Sequence, residues 1–372
     1  MKHIYANRLA LAVLLVGGFP AGLAAQDDDD NTPYGTTSAE FLLLGAGARG
    51  AALGGAFAAI ANDVSALYYN PAGTALMTQP GISLSTYSYV ADTRYSWGGV
   101  AFPFSGGARA FGLHLGTFGF RDQPVYTAEQ PDGTGSVYSV SETYVGATYA
   151  ENFSDRFSAG LTAKFVFDKL GDADGNAFAV DFGTNFHSAL NNHPIKFSFV
   201  ISNLGTNLSY GGDALNADVP REPLPGEDEV PTLPQPATLR TKEFPLPTVF
   251  RVGLAYDVLA SEDTRWTLLG DFNQANNNKA GFVFGTELAL NRLGGSGFGA
   301  AVRGSYSYTG ANNLSPIDSG DTQLSDEEDL QGLALGGGLG FQGEGFSIGF
   351  DYAWRYLGIL GSTNYFTFNI GW

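Results

Sequence analysis

Four histidines are the first side chains in this sequence that could serve acid–base, nucleophilic or metal chemistry. They are His3, His114, His187 and His193. A histidine placed beside a serine and an aspartate can form a hydrolytic triad, but no hydrolase motif surrounds His114, which lies between two leucines. We therefore expect a structural or pore-lining role for His114. We predict no catalytic residue and no enzymatic activity.

The sequence also gives little indication of a metal or cofactor site. The chain has no cysteine, so a thiolate zinc site and an iron–sulfur cluster are excluded. The run Asp172–Asn176 resembles a calcium loop, but its glycine comes two positions too early for an EF-hand, which favours a turn between strands. We predict no metal and no cofactor, and leave open whether the acidic loops bind calcium.

Composition limits the class of protein further. There are 19 Lys and Arg against 37 Asp and Glu, a formal net charge of −18, which argues against nucleic-acid binding because the phosphate backbone requires a basic face. Aromatic residues make up 13 % of the chain and charged residues only 15 %. Intrinsic disorder needs the opposite balance.

The first residues have the layout of a targeting segment. A basic start, an apolar stretch from Leu9 to Phe19 and small residues up to Ala25 are typical of a secretory signal peptide. We predict a signal peptide over 1–25, cut before Gln26, and a solvated acidic tail over 26–36.

Alternation of apolar and polar residues dominates the rest of the chain. From Phe157 to Phe167 every odd position is apolar, and a period of two places such a set on one face of a sheet. Most of these stretches have about nine to thirteen residues, enough to cross a bilayer when tilted. The fourteen predicted strands lie near 82–90, 93–104, 109–119, 136–150, 156–168, 176–188, 195–204, 247–258, 264–273, 280–290, 297–309, 331–341, 345–357 and 363–372.

The connections between these strands differ in length by side. Even-to-odd connections are short, whereas odd-to-even connections include the long segments 120–135, 205–246 and 310–330. Bacterial outer-membrane barrels have short periplasmic turns and long external loops. We therefore predict an all-β, antiparallel transmembrane barrel over 81–372 in the bacterial outer membrane, surrounded by its lipid, with the N- and C-termini in the periplasm.

The last strand supports this interpretation. Its alternate residues are apolar and the sequence ends on an aromatic residue, a pattern that resembles the C-terminal signal read by the barrel-assembly machinery, the first expected partner. The residues of this signal are Phe366, Phe368, Ile370 and Trp372.

The segment before the barrel, Thr37–Met77, has a different composition. Its apolar residues are too dense for a surface loop, and its glycines are too many for one long helix. A barrel of about fourteen strands is too wide for its own side chains to fill. We therefore predict that residues 37–80 form a small Gly/Ala-rich helical plug in the lumen, called the hatch below.

Two short helices are expected in the hatch. Ser38 can cap a helix over Ala39–Leu44, and Asp63 can cap another over Val64–Tyr69. The second should end at Asn70-Pro71, because the residue before a proline avoids the helical conformation.

The hatch also carries several short motifs: Glu40-Phe41-Leu42, Gly45-Ala46-Gly47-Ala48-Arg49, Gly54-Gly55-Ala56-Phe57, Asn62-Asp63 and Tyr69-Asn70-Pro71-Ala72-Gly73. Together they resemble the opening signature of PorV/PorQ-type outer-membrane proteins. The Asn-Pro-Ala portion is shared with FadL-like long-chain fatty-acid transporters. Asn62 departs from the pattern, since the family more often has a second Asp there. The candidate hatch-motif residues are Arg49, Gly54, Gly55, Asp63, Asn70, Pro71, Ala72 and Gly73.

The resemblance implies a fourteen-stranded FadL-like barrel with one of two roles. In the first, external loops bind exported proteins or secretion components of a type IX system. In the second, fatty acids or other hydrophobic small molecules enter past the hatch. We favour the first role here and keep uptake as the alternative. An open porin is disfavoured because the hatch would occlude its channel.

Overall fold

The computed structural model describes residues 33–219, 235–309 and 331–372. The signal peptide, most of the acidic tail and loop 310–330 lie outside these residues, as does part of loop 205–246. In the described residues no helix is long and apolar enough to span a membrane.

Fourteen antiparallel strands form one closed barrel, as predicted. The predicted boundaries agree with the structure to within four residues. The strands are β1 (Gly81–Ser88), β2 (Arg94–Phe104), β3 (Arg109–Gly119), β4 (Val140–Ser154), β5 (Phe157–Leu170), β6 (Ala173–Leu190), β7 (His193–Gly205), β8 (Val249–Ala260), β9 (Thr264–Ala275), β10 (Gly281–Leu290), β11 (Phe298–Thr309), β12 (Leu333–Gln342), β13 (Ser347–Tyr356) and β14 (Ser362–Gly371).

Each strand pairs with its neighbours in sequence, and β1 pairs with β14 to close the ring, with Gly81 opposite Gly371. The register shifts in three of the ladders, and one of these shifts lies between β6 and β7. There the register shifts at Asp181, and Asn203 takes a left-handed conformation with φ of 60°. The extra residue makes this a β-bulge.

The two faces of the barrel wall have opposite character. Outward side chains such as Leu113, Leu161 and Phe368 are large, apolar and exposed, which suits contact with lipid. Inward side chains are mostly small or polar and are buried. They are buried because the hatch occupies the lumen.

The hatch contains two short α-helices, α1 (Ala48–Ala52) and α2 (Ala66–Tyr69), and two 3-10 turns, Glu40–Leu43 and Pro71–Leu76. Arg49 contacts Glu287 on β10 at 2.8 Å. Asn70 contacts β6, so the hatch touches the wall at two places that lie four strands apart.

The prediction for the first hatch helix was wrong in the type of helix and in its capping residue. Only a 3-10 turn forms, and it is preceded by Ala39 in a left-handed conformation without a side-chain cap. Ser38 instead bonds the Tyr210 hydroxyl at 2.6 Å, and its amide donates to the Pro245 carbonyl. Partners outside the hatch therefore take the hydroxyl that would have capped the helix.

The second expected helix is shorter than predicted but ends where predicted. Asp63 Oδ1 accepts from the Ser65 amide at 2.9 Å, so it satisfies a donor just ahead of α2. The helix stops at Tyr69, and Asn70 is extended with φ of −160°.

The hatch chain runs along the lumen from one end of the barrel to the other. Ser38 lies at the end that carries the long loops, beside Tyr210 and Pro245. Pro80 lies at the end with the short turns, where its carbonyl accepts from the Trp372 amide. Residues 38 and 372 therefore lie at opposite ends of the lumen, and the expected periplasmic position of the N- and C-termini stays a prediction.

Candidate functional site: a hatch docked in the barrel lumen

Asn70 is the most specific contact between the hatch and the wall. Its side-chain amide donates to the Ala58 carbonyl at 2.8 Å and to the Thr184 carbonyl on β6 at 3.2 Å. Its Oδ1 accepts from the Ala72 amide. Because Asn70 is fully buried, these bonds satisfy a side chain that would otherwise be costly to bury.

Pro71 follows at the first position of the 3-10 turn, where a missing amide hydrogen is tolerated. The wall makes room for this turn with two glycines. A Cβ on Gly160 would lie 2.5 Å from the Pro71 carbonyl carbon, and one on Gly183 would lie 2.1 Å from Asn70 Oδ1. Gly73 is equally constrained, since its Cβ would lie 2.0 Å from the Ala61 carbonyl oxygen.

Arg49 anchors the other side of the hatch through charge. Its guanidinium makes two 2.8 Å bonds to the Glu287 carboxylate and one of 2.8 Å to Asp63. Glu287 also accepts from Arg303 at 2.6 Å, and Arg303 reaches Asp351 at 2.7 Å. Five charges of alternating sign therefore join the hatch to β10, β11 and β13.

This network keeps Arg49 charged. Burial alone lowers the pKa of the Arg49 guanidinium, but the carboxylates of Glu287 and Asp63 outweigh burial and raise it. The guanidinium also lies over the Phe57 ring, 4.9 Å from its centroid. We conclude that the charge of this anchor does not titrate at any physiological pH.

Gly54 and Gly55 end the segment that carries Arg49. Both have positive φ, 63° and 92°, which glycine adopts without strain. Gly54 also approaches the wall closely, because its Cβ would lie 2.7 Å from Ser307 Oγ. Gly55 has open space around it.

Aromatic rings form the contact between the hatch and β1–β4. Phe41 packs 6.0 Å from Tyr144, and His114 packs 5.4 Å from the same ring. The Tyr95 hydroxyl, the Trp97 indole nitrogen, both His114 nitrogens and the Tyr144 hydroxyl have no hydrogen-bond partner among the described residues. His114 is thus buried and lumen-facing, as expected.

Tyr68 of the hatch and Lys164 of the wall also lie on this aromatic side of the lumen. Burial raises the pKa of Tyr68 in α2 to about 12, and its hydroxyl donates to the Leu42 carbonyl within the hatch at 3.0 Å. Lys164 lies 5.4 Å from the Tyr144 ring centroid and pairs with Asp181 at 2.6 Å.

A groove of about 470 Å³ lies on the outer face of the same wall. It forms where the outward residues Thr86, Ser96 and Gly98 are small between larger neighbours. The remaining lining is largely apolar and includes Leu84, Leu115, Phe350, Phe366 and Phe368. Two of the residues in the predicted assembly signal, Phe366 and Phe368, thus face outward at this groove.

Two cavities lie at the short-turn end. One of about 340 Å³ is lined by Ser158, Asn185 and Arg156, and one of about 230 Å³ is lined by Arg49, Lys196 and Arg265. Leu76 and His187 line both cavities. Leu76, at the end of the hatch, therefore lies beside both cavities.

No group of three or more His, Asp or Glu side chains is placed to hold a metal ion within 33–219, 235–309 and 331–372. The run at Asp172 lies in the turn and the start of β6. Sequence patterns did not identify Gly160, Gly183, Glu287 and Arg303. Charged residues at lumen-facing strand positions could have indicated Glu287 and Arg303. Their positions in the sequence do not reveal which of them meets Arg49.

Comparisons with known proteins place this arrangement in context. The family model described as "Uncharacterised protein family (UPF0164)" matches residues 19–166. No curated protein sequence matches the chain.

Solved structures are similar over most of the chain. The Ralstonia pickettii toluene transporter TbuX has a TM-score of 0.52 at 12 % identity, covering 89 % of this chain and 98 % of its own. The Pseudomonas putida toluene transporter TodX has a TM-score of 0.51 at 12 % identity, covering 88 % and 96 %. The monoaromatic hydrocarbon channel CymD has a TM-score of 0.52 at 11 % identity, covering 88 % and 97 %.

These neighbours are described as transporters and channels, which is consistent with the expectation of a non-enzyme. The comparisons support the FadL-like part of the resemblance and do not support its PorV/PorQ part. The chain therefore has the fold of the FadL-like barrels, and the match to UPF0164 covers its hatch and first strands.

Proposed function

We propose that this protein is an outer-membrane channel for the uptake of small hydrophobic molecules, with the hatch as its gate. The observation that supports this proposal most directly is the hatch, which fills the lumen and is held there through Asn70 and Arg49. An open aqueous pore is incompatible with such a plug. The shared fold of toluene transporters supports the same role.

The aromatic side of the lumen supports an apolar substrate. Rings of Phe41, Tyr144 and Trp97 meet where the hatch touches β1–β4, and ring faces bind apolar and aromatic molecules well. A hydrophobic solute could replace the hatch there without exposing the wall to water. The apolar groove at Gly98 lies on the outer side of this wall.

The secretion role gains no comparable support. It would use loops 205–246 and 310–330, and much of these lies outside the described residues. We also propose that the barrel-assembly machinery reads the C-terminal signal formed by Phe366, Phe368, Ile370 and Trp372. Phe366 and Phe368 face outward at the groove, which fits a signal that is displayed on the outer face of the barrel.

The test is to tether the hatch. The chain contains no cysteine, so an introduced pair forms a single defined disulfide. The Ala48 amide donates to Thr367 Oγ1 at 2.7 Å, so the double variant Ala48→Cys/Thr367→Cys would link hatch to wall. The matched control is Ser85→Cys/Thr367→Cys, because these hydroxyls are 3.0 Å apart on two wall strands.

Uptake of radiolabelled toluene and oleate would be measured in cells that express each variant in their outer membrane. We expect faster uptake than in cells without the protein, loss of uptake in the hatch tether, and recovery on reduction. The wall tether should behave like the unmodified protein. Uptake no faster than in cells without the protein would overturn the proposed channel function. Normal uptake by the oxidised Ala48→Cys/Thr367→Cys variant would overturn the proposal that the hatch is the gate.

A further inference from the structure

The cavity of about 230 Å³ at the short-turn end is bounded by the hatch on one side and by the wall on the other. The hatch contributes Arg49 and the apolar side chains of Ile60 and Leu76. The wall contributes charged side chains, which include those of Lys196 and Arg265. This space therefore joins an apolar face to a charged one, and it is called the hatch–wall cavity below.

The charged lining of the hatch–wall cavity is mostly positive. It includes the cations Arg49, Lys196 and Arg265 and the carboxylate of Glu287. Glu287 already accepts two hydrogen bonds from Arg49 and one from Arg303, so its charge is largely compensated by these two arginines. Lys196 lies close enough to Arg49 and Arg265 for both to repel its ammonium group. Three positive charges therefore converge on one small space.

Asp257 on β8 compensates Lys196 on β7 and Arg265 on β9 in part. Its Oδ2 lies 3.5 Å from Lys196 Nζ and 3.9 Å from Arg265 Nε, and its Oδ1 accepts from Thr267 Oγ1 at 2.7 Å. A lysine ammonium has three donors and an arginine guanidinium has five. Because two cations share one carboxylate, most of their donors and one unit of positive charge are left for another acceptor.

Both cations can be reached by a solute. The side chain of Lys196 is 17 % exposed and that of Arg265 is 44 % exposed, whereas that of Asp257 is only 3 % exposed. A molecule in the hatch–wall cavity therefore meets the two cations without any opening of the wall, and the carboxylate that they share is covered.

The size and the lining of the cavity favour a small organic anion. Sites for drug-sized ligands have about 300–1,000 Å³, so this cavity suits a smaller molecule. Arginine pairs with a carboxylate through two parallel hydrogen bonds, and one unmatched positive charge favours a monovalent anion. Ile60 and Leu76 offer an apolar surface to the rest of the ligand, which an inorganic anion would not use.

We infer that the hatch–wall cavity binds the carboxylate of a small organic acid, held by Lys196 and Arg265, with its apolar part against Ile60 and Leu76 of the hatch. Such a ligand contacts the hatch and the wall at once. A ligand that binds only the seated hatch stabilises that position. The site depends on the seated hatch and not on uptake, so it goes beyond the proposed channel.

The test is calorimetric titration of the purified full chain, in a non-ionic detergent, with sodium benzoate as the probe. We expect saturable binding at a single site. Benzyl alcohol, which lacks the charge, and inorganic phosphate, which lacks the ring, should both bind more weakly. Saturating benzoate should also slow proteolysis of the hatch, because the ligand joins it to the wall.

Two variants should change benzoate binding in opposite directions. Arg265→Gln should weaken it about tenfold, because hydrogen bonds to a charged group are lost. Asp257→Asn should strengthen it, because it removes the carboxylate that competes for the same cations. The matched control is Arg292→Gln, which removes the same charge from an exposed turn at the same end and should leave binding unchanged.

Four outcomes would overturn the inference. They are unchanged benzoate binding in Arg265→Gln, binding of benzyl alcohol as tight as that of benzoate, binding of phosphate as tight as that of benzoate, and proteolysis of the hatch that benzoate does not slow. Each would leave the proposed uptake intact, because titration and proteolysis of the purified chain require no transport.

Discussion

The hatch meets the barrel through two unlike surfaces. At β6 and at β10–β13 the contacts are directional, as in the 2.8 Å bonds from Arg49 to Glu287 and the bond from Asn70 to Thr184. On the side of β1–β4 the contacts are between rings, and several polar tips there have no partner. The first surface holds the hatch through polar and charged partners, whereas the second holds it through ring packing.

The energies of the two surfaces differ accordingly. Removing one member of a buried ion pair costs about 3–5 kcal/mol, whereas a ring pair contributes about 0.5–1.5 kcal/mol beyond its buried area. In the proposed gating role, the ion pairs would hold the closed position and the ring contacts would be the ones that separate.

The largest effect is expected for Arg49→Ala. Glu287 would keep Arg303 but lose two bonds, at a cost of about 3 kcal/mol, and the hatch should become accessible to protease. The exposed pair of Arg109 and Glu151, 3.0 Å apart on the wall, provides the control Arg109→Ala. Equal protease resistance of the Arg49 variant and wild type would contradict the role of the ion network.

A smaller effect is expected for Asn70→Ala. The change removes bonds to Ala58, Thr184 and Ala72, and the loss should be about 2 kcal/mol. Thermal unfolding followed by heat-dependent gel migration would measure it, with Asn364→Ala at an exposed wall position as the control. A midpoint shift no greater than that of the control would show that the hatch does not depend on Asn70.

The smallest effect is expected on the ring side, for Tyr95→Phe. The Tyr95 hydroxyl is buried without a hydrogen bond, so its removal should cost less than about 1 kcal/mol or stabilise slightly. Tyr68→Phe is the matched control, since it loses the bond to the Leu42 carbonyl. A larger loss for Tyr95→Phe than for Tyr68→Phe would show that the ring side is directional as well.

Much of the fold could be predicted from the sequence because strand alternation is a local signal. All fourteen strands follow from a period of two, and the end of α2 follows from Asn70-Pro71. The Ser38 cap failed because a tertiary partner, Tyr210, lies 172 positions away. Local patterns do not include such a competitor.

The charge network at Arg49 could not be predicted for a similar reason. Arg49 and Glu287 are 238 positions apart, and their meeting depends on where the hatch lies in the closed ring. Likewise, Ser198 on β7 and Asp271 on β9 lie opposite the same residue, Gly253 on β8, only because of the register of three strands. Register and closure are global properties, and alternation alone does not determine them.

The seam between β1 and β14 bears on how the barrel is assembled around the hatch. All other neighbouring strands are consecutive in sequence, so the ring closes only when the last strand pairs with the first. The hatch precedes the first strand and spans the lumen from Ser38 to Pro80. Insertion after closure would require threading the chain through a finished ring. A hatch that is in place before the C-terminal strand pairs with β1 avoids this threading and serves as a core around which the barrel closes.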